Sequence, residues 1–483
     1  MLKTLRKNLP IRSARLRVGP DFVRLNAKVL SLLYVSLIFT SCESFLTVEP
    51  PNSKITGSVV FGDDVSSTSA MLGVYIDLYD LSSFAGGSVA SVMSLAGLSA
   101  DELINKPKID PAILDVQNNE IKTNNSYILS VWTSLYKAIY QANSVLEGLA
   151  NSEGVSSATK NRLQGEALFV RAFCNFYLVN LFGDVPLATT TDYKVNASMQ
   201  RVSSSTIYDQ IKNDLLQAES LLPAEYVNSE RFRPNKFAAI ALEARVYLYL
   251  GDWARAEDKS TQVISQSSLY ELVDIDRIFY ANNREAIWQL KPVGNSMYSN
   301  EGALFSIINA PNNNVLNGQI LLSFEGEDDR RNKWITDLGN GSSVIIPLKY
   351  KFDLTEPLPQ EYSMVIRLGE LYLIRGEARA RQDKRSMAIQ DVDRIRNRAG
   401  LPPIQTTNPD VNKEDLLNMI LHERQIELMV EWGHRWLDLK RWGVAGNVLG
   451  SVKVGWSDDD LLYPIPSTEI QKNPLLNPQN PGY

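Results

Sequence analysis

The sequence predicts a mainly α-helical protein with a loop-rich insertion containing short strands. Three observations lead there. Apolar residues recur at helical spacing through most of the chain after residue 58. The stretch 266–360 loses that period and fills with Asn, Gly and Ser. The first 41 residues read as a targeting segment, which takes no part in the fold.

That leading segment carries Lys3, Arg6, Lys7, Arg12, Arg15, Arg17, Arg24 and Lys28 against one acid, Asp21, and then an apolar run from Val29 to Phe39. A basic region followed by a short apolar core is a secretory signal. The run is well under the roughly 20 apolar residues that a spanning helix needs. Phe39-Thr40-Ser41-Cys42 is similar to a bacterial lipoprotein cleavage site, in which the Cys42 thiol takes a lipid; a plain secretory signal with a chance cysteine is the alternative. The whole chain carries −6 and the first 41 residues +7, which leaves −13 on the body. Nucleic-acid binding needs a dense basic face, so this balance argues against it. Cys174 sits in an apolar helical stretch with Cys42 lipidated, so the fold is expected to hold without disulfides.

Residues 42–58 contain Pro50-Pro51 and no helical period, and read as an extended tether. The region 59–265 is helical. Asp63 and Asp64 cap a segment in which Met71, Leu72, Tyr75, Leu78 and Tyr79 share a face. A second helix carries Val131, Leu135, Ile139 and Val145. A third runs from about Ser157 through Leu168, Ala172, Phe176 and Leu181 to a stop at Gly183. From Lys236 the pattern is helix, tight turn, helix: Ala241, Ala244, Tyr247 and Leu248, a break at Gly251-Asp252, then Trp253, Ala256, Val263 and Ile264. Small residues let two helices approach while aromatics fill the gap, the logic of a tetratricopeptide-like helical-pair scaffold. A second pair follows the insertion, at Leu368, Leu371, Ile374, Ala378 and Ala380, then Ala388, Val392 and Ile395 before Gly400. A helical bundle without true repeats is the alternative.

Within 266–360, the apolar pieces Ala286–Leu290 and Val344–Pro347 read as strands among turn signals at Pro311–Asn314 and Gly339–Ser342. Loops on a rigid scaffold are where binding residues collect, so this is the expected ligand-side face. The region 361–483 ends with a helix from about Lys413 to Trp432. There Arg424 with Glu427, and Glu431 with Arg435, stand at intrahelical pairing distance. A proline-punctuated tail follows.

Catalytic signatures are few. His422-Glu423 begins a zinc-protease pattern that fails at Ile426, and His434 is the only other histidine. No nucleophile elbow, P-loop or complete dinucleotide fingerprint is present. Glu327-Asp328-Asp329 and Asp458-Asp459-Asp460 read as solvated loops, with a calcium site as the alternative. Paired carboxylates for glycoside hydrolysis leave no linear trace, so a surface glycoside hydrolase stays open on chemistry alone.

Four stretches together resemble the SusD/RagB family of outer-membrane nutrient-binding lipoproteins: Cys42 to Pro50; Gly165 to Phe173 with Phe182-Gly183-Asp184-Val185-Pro186-Leu187; Glu423-Arg424 to Arg441-Trp442-Gly443; and Tyr463-Pro464-Ile465-Pro466 to Asn480-Pro481-Gly482-Tyr483. Arg171 and Arg435 are expected to meet acids or carbonyls inside the scaffold. The resemblance implies a non-catalytic lid, lipid-anchored on the outer membrane and facing outward. It would capture a glycan or oligosaccharide, in some members a peptide, and pass it to a SusC-like TonB-dependent transporter. No bond is broken in that role, and no cofactor or catalytic residue is expected. Ligand residues in the family lie in loops, often as an aromatic platform, because sugar C–H faces pack on rings. Here the loop Gly86–Ser126 has no aromatic residue, although it holds Asn118, Asn119, Asn124 and Asn125. The candidates are therefore Tyr280, Tyr298, Asn300 and Phe305 in the insertion, with Asn124, Asn125 and Tyr127; core packing or surface decoration is the alternative for each. Trp288, in a strand-like run, reads as core.

Overall fold

Oxygen-bearing side chains start the long helices where the sequence places them. The computed structural model describes residues 57–483 except 295, 297, 307, 308, 310–312, 340–343 and 352–359, and 57–483 forms one unit. Cys42, the tether through Thr56 and most of the Gly339–Ser342 turn lie outside the described residues.

After a short α1 (Gly57–Val60), Asp63 accepts the N–H groups of Val65 and Ser66 at 2.8 Å and opens α2 (Asp64–Asp80). The segment expected as the loop Gly86–Ser126 is largely regular: α3 (Val92–Ser99), β1 (Leu103–Asn105) and α4 (Pro111–Asn118). All eight residues of α3 are buried, so it shows no amphipathic stripe and its period is invisible in sequence. Asn125 caps α5 (Ser126–Ala150), and Ser156 caps α6 (Ser157–Phe182). Helix α6 ends at Gly183, whose φ of 74° only glycine adopts readily. It is buried almost all round, between α2, α5 and α8.

Next come β2 (Val185–Pro186), α7 (Tyr193–Asn196), β3 (Arg201–Val202) and α8 (Ser204–Leu221). The two helical pairs are as the period predicts. The first is α9 (Lys236–Tyr249) with α10 (Trp253–Ile264), turned at Gly251 with φ 71°. The second is α13 (Leu368–Arg381) with α14 (Arg385–Arg398), and α10 packs on α13 to join them.

Between the pairs stand β4 (Ala286–Leu290), α11 (Asn300–Leu304), β5 (Asn314–Leu316), α12 (Asp329–Trp334), β6 (Ile335–Asp337), β7 (Ile345–Pro347) and β8 (Ser363–Arg367). They form antiparallel two-stranded ribbons, β4 with β8 and β6 with β7, while β5 reaches back to β1 with Leu103 opposite Leu316. Trp288 is fully buried and meets Phe169 and Phe173 of α6 edge-on at 4.7 and 5.0 Å. Phe84 packs on Tyr177 and Trp432 in the same aromatic cluster. The cluster thus ties the loop after α2 and the insertion to the central helix.

The C-terminal region continues through α15 (Ile404–Thr407), α16 (Lys413–Glu427), α17 (His434–Arg441), α18 (Ala445–Leu449) and α19 (Ser467–Lys472). Helix α16 stops at Glu427, five residues before the expected end, and Val430, Trp432 and Gly433 take positive φ. The expected intrahelical ion pairs do not form. Arg424 instead pairs with Asp438 at 2.7 Å and Arg435 with Asp101 at 2.7 Å. Glu427 and Glu431 turn to Arg367, at 2.6 and 2.8 Å. A helix end in a tight, buried turn re-aims its side chains, and burial then demands the nearest opposite charge. Asp328 corrects another expectation: it is 3% exposed, caps α12 and pairs with Arg330 at 2.8 Å. Arg171 reaches Asp214 at 2.6 Å and Asn143 at 2.8 Å inside the scaffold. The tail is held through Asn480, whose amide donates to the carbonyls of Phe182 and Tyr463 at 2.8 and 2.7 Å.

Candidate ligand-binding site

The segment Ser82-Ser83-Phe84-Ala85-Gly86-Gly87-Ser88 follows α2 directly and folds back on itself. Ser82 Oγ accepts the N–H groups of Phe84 and Ala85, and Val92 N–H donates to the Phe84 carbonyl at 2.9 Å. Gly87 sits at φ 60°, and a Cβ there would stand 2.7 Å from Glu301 Cδ, so both backbone and space require glycine.

Glu301 belongs to α11, which the insertion lays beside this loop. The Tyr79 hydroxyl donates to Glu301 at 3.0 Å and accepts the Asn300 N–H at 2.8 Å; Ser363 donates to the other carboxylate oxygen. Burial pushes the Glu301 carboxyl above the usual carboxylate range, against the pull of those hydrogen bonds. The Asn300 amide donates to the Gly86 carbonyl at 2.9 Å, closing the junction between loop and insertion.

Between the two lies an open trough of about 530 Å³ lined by Asp80, Leu81, Ser82, Ser83, Gly86, Gly87, Ser88, Val89, Asn300, Ala303, Leu304, Asn309 and Asn313. Its three amides are oriented by their partners. Asn300, Asn309 and Asn313 donate to the carbonyls of Gly86, Ala303 and Asn309, at 2.9, 2.8 and 2.9 Å. Each NH2 gives one of its two hydrogens to a carbonyl, so each side chain keeps its oxygen and one N–H for a ligand. Serine hydroxyls and the Asp80 carboxylate add to these groups, and partial burial raises the Asp80 pKa. The trough is thus a polar surface that offers both acceptors and donors, suited to a ligand dense in hydroxyl or amide groups. Its described lining carries no aromatic ring. Among the described residues, no group of three or more His, Cys, Asp or Glu side chains is arranged to hold a metal ion.

Of the residues expected from sequence, Asn300 lines the trough. Phe305 does not: it is 4% exposed and packs in the core. Asn125 is spent as the α5 cap, accepting from Tyr127 and Ile128 and donating to the Ala112 carbonyl at 2.8 Å. Tyr127 is half-buried with its hydroxyl on Asp110 at 2.7 Å, and Asn124 is exposed beside it. Neither borders the trough. Tyr280 is half-buried and its backbone bridges to Glu361; Tyr298 lies partly buried in the turn before α11. Sequence reading missed Asp80, the serines, Asn309 and Asn313. A signal was present in the Ser-Ser-Phe-Ala-Gly-Gly-Ser run, a turn placed straight after a helix.

Two family models match the chain: one for starch-binding proteins associating with the outer membrane, over residues 89–248, and one for the SusD family, over 349–483. The segment between them holds the whole insertion wall of the trough. A SusD-like protein, P25, of Formosa agariphila is 25% identical, with 94% of this chain and 99% of that protein aligned. The starch-binding protein SusD of Bacteroides thetaiotaomicron is 30% identical over 144 residues, covering 28% of this chain and 25% of that protein. Among solved structures, a laminarin-binding SusD-like protein superposes with a TM-score of 0.75 at 24% identity, over 88% of this chain and all of the other. A SusD superfamily protein from Parabacteroides distasonis gives 0.75 at 23%, over 89% of this chain and all of the other. With the helical pairs, the buried Arg171 and Arg435 and the pinned tail all in place, the chain belongs to the SusD/RagB family.

Proposed function

We propose that this protein is a non-catalytic cell-surface lipoprotein, anchored through Cys42, that captures a glycan and hands it to a partner TonB-dependent outer-membrane transporter of the SusC kind. The observation that carries the reading is the trough between the loop after α2 and the insertion. Its asparagine and serine oxygens match a ligand whose surface is dense in hydroxyl donors. The starch- and laminarin-binding relatives support the same ligand class. No helix among the described residues is long and apolar enough to cross a membrane, which accords with attachment by lipid. A peptide is the second reading, and the ring-free described lining favours it, since an extended backbone needs hydrogen-bond partners more than stacking surfaces.

The test is titration calorimetry with laminarin, amylopectin and a mixed peptide digest, with chromatography of the glycans afterwards. Binding of a glycan without shortened products is the expected result; product release would make the chain an enzyme. Pull-down from membranes of the native host, using the lipidated protein, should bring a large β-barrel with it. Recovery of the lipoprotein alone would remove the transporter from the proposal.

A further inference from the structure

A second cleft, of about 700 Å³, opens between α5, the segment that follows α6, and the C-terminal helix α19. One wall is a stripe of α5: Trp132, Tyr136 and Tyr140 recur every four residues and so share a helix face. Trp132 is buried and packs on Tyr136 at 4.9 Å, and the Tyr136 hydroxyl donates to the Pro186 carbonyl at 2.8 Å, which locks the stripe to the opposite bank. Tyr140 is 51% exposed, and Tyr193 of α7, also lining the cleft, is 73% exposed. Exposed rings bordering a preformed hollow have a different meaning from single surface aromatics, because a ligand can cover both at once.

The polar groups narrow the ligand class. The Asn196 amide donates to the Thr190 carbonyl at 2.9 Å, which orients it, and its Oδ1 is buried without a hydrogen-bond partner among the described residues. An unpaired buried acceptor is costly, and a donor reaching it from the cleft would relieve that cost. The two lysines of the lining each have an acid beside them, Lys137 with Asp77 at 2.8 Å and Lys472 with Glu469, also of the lining, at 2.7 Å, so the lining shows no one-sided positive charge. Rings for C–H faces, an unpaired acceptor for a hydroxyl and balanced charge describe a neutral saccharide.

We infer that the cleft beneath Tyr140 and Tyr193 is a second glycan site, separate in its lining from the trough, that holds a short neutral segment of a longer chain. It rests on the reading that the protein binds glycans. Two separate sites on one lid would raise the affinity for polymers over oligomers through effective concentration, because the second contact becomes intramolecular.

Met199 lines the cleft and reports on it. The experiment labels the methionine methyl groups with carbon-13 in the chain from Gly57, assigns Met199 by Met199→Leu, and titrates laminari- and malto-oligosaccharides, with an uncharged apolar tripeptide amide as control. The expected result is a saturable Met199 shift with a saccharide. Tyr140→Ala/Tyr193→Ala should weaken it roughly tenfold, the loss of two ring contacts, while Asn300→Ala, which lies in the other lining, leaves it in place. Saccharide binding that depends on Asn300 and never moves Met199 overturns the second site and keeps the proposed function. A Met199 shift with saccharide, together with total affinity in calorimetry that ignores Asn300→Ala but falls with Tyr140→Ala/Tyr193→Ala, supports the cleft and overturns the trough. Response to the peptide alone, or to none of the probes, overturns the cleft as a glycan site.

Discussion

Asn300 does two jobs with one amide: its NH2 holds Gly86 and its oxygen remains for a ligand. Asn300→Ala should weaken glycan binding about tenfold, near 1.4 kcal/mol, the loss of one hydrogen bond at a partly shielded site. Calorimetry reads it, and unchanged affinity would take Asn300 out of the site. Glu361 carries a different prediction. It is fully buried beside Glu301, Oε1 accepts the Lys351 N–H, and Oε2 has no partner among the described residues. Burial, with the Glu301 charge adding, pushes its pKa from 4.5 to about 7. Between those values the folded protein keeps a proton that the unfolded chain has released, so stability falls as pH rises through this window, and the deficit is complete above it. Glu361→Gln should therefore stabilise the protein at pH 8, on the order of 1–3 kcal/mol, and change little at pH 4. Urea melts at both pH values check this; an equal effect at both would mean that packing, not ionisation, is responsible. Asn300 was a ligand candidate by its setting in the sequence, whereas an orphaned carboxylate oxygen on Glu361 exists only once Lys351 and Glu301 are beside it.

At the scale of elements, helices were legible where one face meets water. The apolar period of α2, α5, α9, α10, α13 and α14 and the Asp63 cap of α2 are local properties, and the structure keeps them. Helix α3 was missed because all of its faces are buried. The end of α16 was misplaced because nothing in Leu428–Trp432 breaks a helix by itself. Gly87 fixes the turn of the loop wall, with a positive φ and no room for a Cβ beside Glu301. Gly87→Ala should cost about 1–3 kcal/mol, since alanine must hold a positive φ against Glu301. It should also lower glycan affinity, because the loop that carries Gly86 has to move. Denaturation and binding measured on the same variant test this, and a stability loss with full affinity would separate the loop from the ligand.

Across the whole molecule, a buried charge network does the joining. Arg367 at the end of β8 contacts Glu285 of the insertion at 3.0 Å, Glu427 at 2.6 Å and Glu431 at 2.8 Å. Arg330 of α12 reaches Glu423 and Glu427 at 2.6 and 2.9 Å. The insertion, the strand that leads into the second helical pair and the C-terminal region thus meet through charges that water cannot reach. Arg367→Gln should destabilise the protein by roughly 3–5 kcal/mol, because three carboxylates lose their common cation. Half-molar salt should change the wild type little, since buried pairs are poorly screened. A variant melting within about 1 kcal/mol of wild type would show the network to be replaceable.

The sequence by itself determined what depends on neighbours along the chain: caps, apolar period, the small residues at helix crossings, and the motifs that mark the family. Tertiary structure alone decided which charges pair and which asparagines border the trough. Arg435 finds Asp101 rather than Glu431, and Asn300 meets Gly86 across more than two hundred residues. Helix signals act over a turn or two of backbone, whereas a binding surface and a buried charge are completed by whatever the fold brings alongside them.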